Sequence, residues 1–89
     1  MVDVTPKPTP NPNALKFTLD RPATDRRSET FREGSDPDDS PLGAKIFGLG
    51  RVTNVFLTAN FVSVTIDDPA AWDVLMPEVV SLIEAHYGE

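Results

Sequence analysis

Fourteen carboxylates, one histidine and five serines are the side chains in this 89-residue sequence that most readily build a catalytic or metal site, and there is no cysteine among them. Without a thiol, disulfides, thiolate metal sites, cysteine nucleophiles and Cys-ligated iron-sulfur clusters are chemically excluded. The acids concentrate at "DPDD", residues 36 to 39, and at "DD", residues 67 and 68. Together Asp36 to Asp39 and Asp67 to Asp68 could serve a small metal-dependent enzyme or regulator, yet neither run has the spacing or ligand number of a dedicated calcium loop. Capping of helix starts accounts for both runs better. His86 stands alone near the C-terminal end of a helical pattern and reads as a half-exposed cap, not a ligand. Ser28, Ser35, Ser40, Ser63 and Ser81 offer hydroxyls, but a single distant histidine gives none of them a base. "GLG" at 48 to 50 leads into Arg51, Val52 and a strand, so it cannot place phosphate on a helix N-terminus. No catalytic, cofactor-binding or metal residue is expected, and no enzyme.

The elements around these residues follow from periodicity. Leu15, Phe17 and Leu19 alternate with Lys16 and Thr18, which predicts a strand with one buried face. Pro6, Pro8, Pro10 and Pro12 lie ahead of it, forbid a helix and spoil a central ladder, so residues 1 to 8 are expected as a flexible lead-in. Residues 20 to 40 hold only Ala23 and Phe31 as apolar side chains, which predicts a long polar loop around a short edge strand near Ser28 to Arg32, anchored by Phe31. Ser40 and Pro41 mark a helix start, with Asp38 and Asp39 placed to favour its dipole, and Leu42, Ile46 and Leu49 follow at helical spacing. Residues 52 to 66 read as two strands hinged around Thr58 to Asn60, with Asn60 taking the left-handed conformation. Asp68 and Pro69 open a last helix whose apolar arc is Trp72, Leu75, Met76, Val79, Val80, Leu82, Ile83 and Tyr87, and Pro77 is expected to kink or break it. Trp72 reads as core, with a partner-facing edge as the alternative. The order β-β-α-β-β-α predicts an α+β two-layer sandwich with an antiparallel sheet and helices on one face.

Length and composition fit one domain over residues 1 to 89. The net charge of -6 is unevenly placed: all eight Lys and Arg residues fall at or before Arg51, and six acids with no Lys or Arg follow it. No basic stripe matches a phosphate backbone, so nucleic acid is not an expected partner. An acidic face could steer a basic protein, although solubility alone also explains it. No apolar run approaches a membrane span and the N-terminus has no leader-like core, which makes a soluble, cytoplasmic protein the expectation.

Four segments in order, "TPNPNALKF" at 9 to 17, "SPLGAKIF" at 40 to 47, "VTNVFLTANFVSVT" at 52 to 65 and "WDVLMPEVVSLI" at 72 to 83, resemble the N-terminal domain of the Nfu/NifU-type iron-sulfur scaffold proteins. The resemblance implies that Thr9 to Asn13 is a fixed lead into the first strand. Arg51-Val52 stands where the family has Gly-Val, and Gly43 where alanine is common. In longer members this domain precedes a second one whose C-x-x-C pair holds the cluster. The resemblance therefore implies a non-enzymatic accessory domain of iron-sulfur cluster assembly, associated with iron but without cysteine to ligate a cluster. It implies a protein partner from that machinery and no resident cofactor. Asn11, Asn13, Arg51, Asn60 and Trp72 are the candidate partner-facing residues.

Overall fold

Alternation of apolar and polar residues in 14–19, 52–58 and 61–66 gives each segment one face that water excludes, and these three segments form the centre of a single antiparallel sheet. The computed structural model describes residues 3–24 and 27–88. Its strands are β1 (Val4–Pro8), β2 (Ala14–Leu19), β3 (Ser28–Arg32), β4 (Val52–Thr58) and β5 (Phe61–Ile66), with helices α1 (Pro41–Phe47) and α2 (Trp72–Gly88). The sheet order is β1-β2-β5-β4-β3, every neighbour antiparallel. The α+β architecture agrees with the sequence reading, with one strand more.

That extra strand is β1. Val4 to Pro8, expected as a flexible lead-in, pair with β2 from Val4 opposite Leu19 to Pro8 opposite Leu15. Proline cannot donate to a ladder, but at a sheet edge its missing N–H falls on the outer side, where no strand waits. Thr9 to Asn13 then form a knot of local bonds. The Asn11 Oδ1 accepts the Asn13 N–H at 3.0 Å, and the Thr9 hydroxyl donates to the Ala14 carbonyl at 3.0 Å.

Both helices cover one face of the sheet. Phe17, Leu19, Val55, Leu57, Val62, Val64 and Ile66 point into it and meet Leu42 and Ile46 of α1 and Trp72, Leu75, Val79 and Ile83 of α2. Phe31 anchors β3 by packing edge-on against Phe47, ring centroids 5.3 Å apart. The buried Ser40 caps α1: its Oγ accepts the Gly43 N–H at 3.1 Å, and Pro41 fills the first helical position. Gly43 has no room for a side chain, because a Cβ there would lie 2.7 Å from the Phe31 Cβ.

Three local expectations are corrected. Asp38 and Asp39 do not sit at the start of α1; with Pro37 they form a separate 3-10 turn capped by Asp36. The left-handed residue of the β4–β5 turn is Ala59, φ 48°, not Asn60. Pro77 lies within α2 without dividing it into two helices. It and Asp73, whose carbonyl it leaves without a helical donor, are both solvent-exposed, so water can satisfy that group.

Candidate functional site

The two acidic runs are occupied in holding their own turns. Asp36 Oδ1 accepts the Asp38 N–H at 2.9 Å while Asp39 Oδ2 accepts the Asp36 N–H at 3.3 Å, a reciprocal cap of the 3-10 turn. Asp68 Oδ1 accepts the Ala70 N–H at 3.0 Å and caps a second 3-10 turn, Pro69–Ala71, that leads into α2. Asp67 pairs loosely with Arg51 at 3.7 Å. Among the described residues no three Asp, Glu or His side chains converge as metal ligands would.

His86 packs edge-on against Tyr87, centroids 4.9 Å apart. Partial burial, with a smaller contribution from the Lys45 charge, holds its pKa below the ordinary imidazole value. The Tyr87 phenol donates to the Ala23 carbonyl, and burial, with Glu29 as a lesser cause, pushes its pKa up to about 12. These two rings fasten the end of α2 to the β2–β3 loop. They line a shallow recess with Pro22, Thr24 and Glu29, in which the Thr24 hydroxyl donates to the Glu29 carboxylate.

The candidate partner-facing residues scatter. Asn13 donates from Nδ2 to the Ile66 carbonyl at 2.9 Å and returns its own carbonyl to the Ile66 N–H at 2.9 Å, so it fastens the β1–β2 turn to the end of β5. Asn11 is exposed on the same turn. Arg51 is exposed and in the left-handed region, φ 64°, directly after Gly50 at φ 81°. Two consecutive left-handed residues, Gly50 and Arg51, turn the chain from α1 into β4. The Arg51 carbonyl accepts the Asp67 N–H at 2.9 Å. Asn60 lies at the far end of β5, where its backbone carbonyl accepts the Leu19 N–H at 2.7 Å. Trp72 lies in the core, the first of its two expected places: it is 9% exposed, tilted against Phe17 with centroids 6.0 Å apart. Asn11 and Asn13 meet on the β1–β2 turn, and Asn13 and Arg51 are tied to the same end of β5 through Ile66 and Asp67.

A feature that the sequence reading missed runs along the outer side of α2. Val74, never part of the apolar arc, is 66% exposed, and Met76, assigned to that arc, is 37% exposed. Two adjoining depressions lie along the Val74 side of the helix, one floored by Leu49, Ala71 and Val74, the other by Leu49, Pro77, Leu82 and Ala85, and Glu78 lines both. The signal in the sequence was an apolar residue off the helical stripe. The opposite face of the sheet is uncovered and mostly polar, with the Lys16 ammonium 4.3 Å above the Phe61 ring. No helix among the described residues is long and apolar enough to cross a membrane.

Residues 4–89 match the family described as scaffold protein Nfu/NifU, N terminal. The chain is 34% identical over 80 residues to NifU-like protein 5, mitochondrial, of Arabidopsis thaliana, covering 90% of this chain and 29% of that one. It is 33% identical over 76 residues to the human NFU1 iron-sulfur cluster scaffold homolog, mitochondrial, covering 84% of this chain and 30% of that one. The chain thus spans less than a third of the length of these relatives. Among solved structures, protein SAV1430 of Staphylococcus aureus superposes with a TM-score of 0.75 at 25% identity, over 92% of this chain and 99% of that one. A NifU-like protein of Saccharomyces cerevisiae shares the fold with a TM-score of 0.79 at 24% identity, over 99% and 82%. The relatives' names overturn the expectation of a cytoplasmic protein, which rested on the lack of a membrane-length apolar run and of a leader-like N-terminus: both the Arabidopsis and the human relatives are named mitochondrial. The match over residues 4–89 and the relatives' names tie this chain to iron-sulfur cluster assembly, and it belongs to the Nfu/NifU N-terminal domain family.

Proposed function

We propose that this chain is a non-enzymatic interaction module that serves iron-sulfur cluster assembly by docking a protein of that machinery. The observation that carries the reading is membership of the Nfu/NifU N-terminal family in a chain with no cysteine. A cluster needs ligands that this sequence does not contain, so its contribution to assembly is recognition, not ligation. The engagement of Asp36, Asp39 and Asp68 as caps supports the same reading, because a metal ion drawn to them would compete with the N–H groups they already accept. Arg51 and Asn11, both exposed, are the polar residues we assign to the partner-facing surface.

The test is titration of the isotope-labelled chain with a purified Nfu/NifU-type cluster-bearing domain, with and without its cluster, followed by amide chemical shifts. Saturable shifts are expected. Absence of any response to scaffold, carrier and recipient proteins in turn would refute docking. A parallel anaerobic calorimetric titration with Fe²⁺, against Mg²⁺ and Ca²⁺, separates the readings: the three cations should give equal weak heats or none. Selective iron binding tighter than about micromolar, roughly -8 kcal/mol, would instead mean a cysteine-free iron site.

A further inference from the structure

The groove along α2 has a shape and a charge that select its occupant. Val74, Ser81 and Ala85 are all exposed and lie seven and four residues apart, so they form one stripe along the helix. From Val74 to Ala85 the stripe covers about 16 Å, or about three turns. Leu49, brought in by the turn after α1, and Leu82 form its apolar flank, both half-buried. Serine and alanine are small enough for a second helix to lie close against them.

The rim is acidic. Asp68 and Glu78 line the groove, and Asp73 and Glu84 project from the same helix as exposed side chains. α2 carries no Lys or Arg. Three cations on packed neighbours face the helix: Arg51, which lines the Val74 end of the groove beside Asp68 and shares its charge with Asp67 at 3.7 Å; Arg21, which donates to the Tyr87 carbonyl at 3.5 Å at the far end; and Lys45 of α1, whose charge reaches His86. A second copy of this chain would bring Glu78, Asp73 and Glu84 against their own counterparts, and like charges at that distance repel. A helix with apolar anchors on one face and Lys or Arg along its margins meets an apolar floor and opposite charge.

We infer that the α2 groove, from Val74 to Ala85 with Leu49 as its flank, is the docking surface for a basic amphipathic helix of a protein partner. The inference deepens the docking reading above and rests on it for the biological setting, while the groove can be tested by itself. Two synthetic peptides of about 14 residues, long enough for the groove, share a leucine frame at i, i+3, i+4 spacing, with lysine at the remaining positions in one and glutamate in the other. Each is titrated into the labelled full chain. The lysine peptide should shift the amides of residues 49 and 74–85, and weaken as salt rises from about 50 to about 300 mM. Ala85→Arg, an exposed position, should weaken it at least about tenfold, and Thr30→Arg on the open sheet face by less than about twofold. Equal binding of the two peptides, no binding, or shifts outside the groove would each overturn the inference. So would a dimer in sedimentation that Ala85→Arg dissolves, because the groove would then belong to a second copy. The cluster-bearing domain, titrated alongside, separates the two claims. If it binds away from the groove, this inference falls and docking stands. If the lysine peptide fills the groove and no assembly protein binds, the groove stands and docking falls.

Discussion

Trp72 gives the most demanding test of the core. Its ring is 9% exposed, tilted against Phe17, and its indole N–H is buried without a hydrogen-bond partner among the described residues. Two opposing contributions therefore meet in one side chain. Truncation to alanine removes the contact with Phe17 and leaves a cavity between β2 and the start of α2, at a cost of about 3 to 5 kcal/mol. An 89-residue domain has a total stability of about 4 to 13 kcal/mol at the usual 0.05 to 0.15 kcal/mol per residue, so Trp72→Ala removes roughly a quarter of it or more. Trp72→Phe keeps most of the apolar volume and abolishes the unpaired donor, whose burial costs about 1 to 3 kcal/mol; these offset, and the net change should stay within about 1.5 kcal/mol. Urea unfolding followed by far-ultraviolet circular dichroism measures both, since Trp72 is the sole tryptophan and fluorescence vanishes with it. The difference between the two variants should be at least about 1.5 kcal/mol. Equal midpoints for Trp72→Ala and the parent chain would refute the placement of the ring in the core. A Trp72→Phe variant as unstable as Trp72→Ala would show that the indole N–H has a partner after all.

Ser40→Ala should cost about 0.5 to 2 kcal/mol in the same unfolding experiment, toward the upper end because Ser40 is fully buried and the Gly43 N–H is left without an acceptor. Asn13→Ala removes the Nδ2 bond to the Ile66 carbonyl and should lower stability by about 1 kcal/mol. In that variant the hydrogen exchange of the Ile66 amide, which bonds the Asn13 carbonyl, should accelerate. Tyr87 has a folded pKa of about 12 against an ordinary 10.0, so its neutral form is the one the fold favours. The stabilisation it brings is full below about pH 10 and is lost as pH rises from there through about 12, which an alkaline unfolding series on the parent and Tyr87→Phe should separate. A Tyr87→Phe variant that unfolds along the parent's alkaline curve would refute that assignment.

Hydrophobic alternation was enough to place β2, β4 and β5, because each has one side against helices and the other open, and a period of two cannot be mistaken over six residues. The Ser40-Pro41 pair located α1 for the same local reason: the cap and the fixed φ act within a single turn. What the sequence did not disclose depended on position in the assembled sheet. The prolines of β1 argue against a strand until one knows that the strand lies at an edge. Ala59 takes the left-handed conformation in place of Asn60 because the register of the β4–β5 pair, Thr58 opposite Phe61, leaves those two residues as the turn and sets which one bends first. The acidic runs were legible as caps, though Asp36 and Asp39 cap an independent turn ahead of α1. The α2 groove was not legible, since it depends on how far the helix rotates about its axis and on a loop leucine supplied from another element.

The prolines of β1 have one more effect. A strand at the end of a sheet offers a row of free N–H and C=O groups to any extended chain that meets it, and that is how sheets join into larger assemblies. Since Pro6 and Pro8 sit opposite Phe17 and Leu15 within a ladder that survives, the donors they lack are those that would have pointed outward. An approaching strand would find carbonyls there and, at Pro6 and Pro8, nothing to donate. The β1 margin is chemically closed to zipper-like growth, and the opposite margin, β3, is only five residues long and ends in Arg32. Both margins therefore offer little to a strand of a second copy, and pairing along the backbone is disfavoured at either end of the sheet.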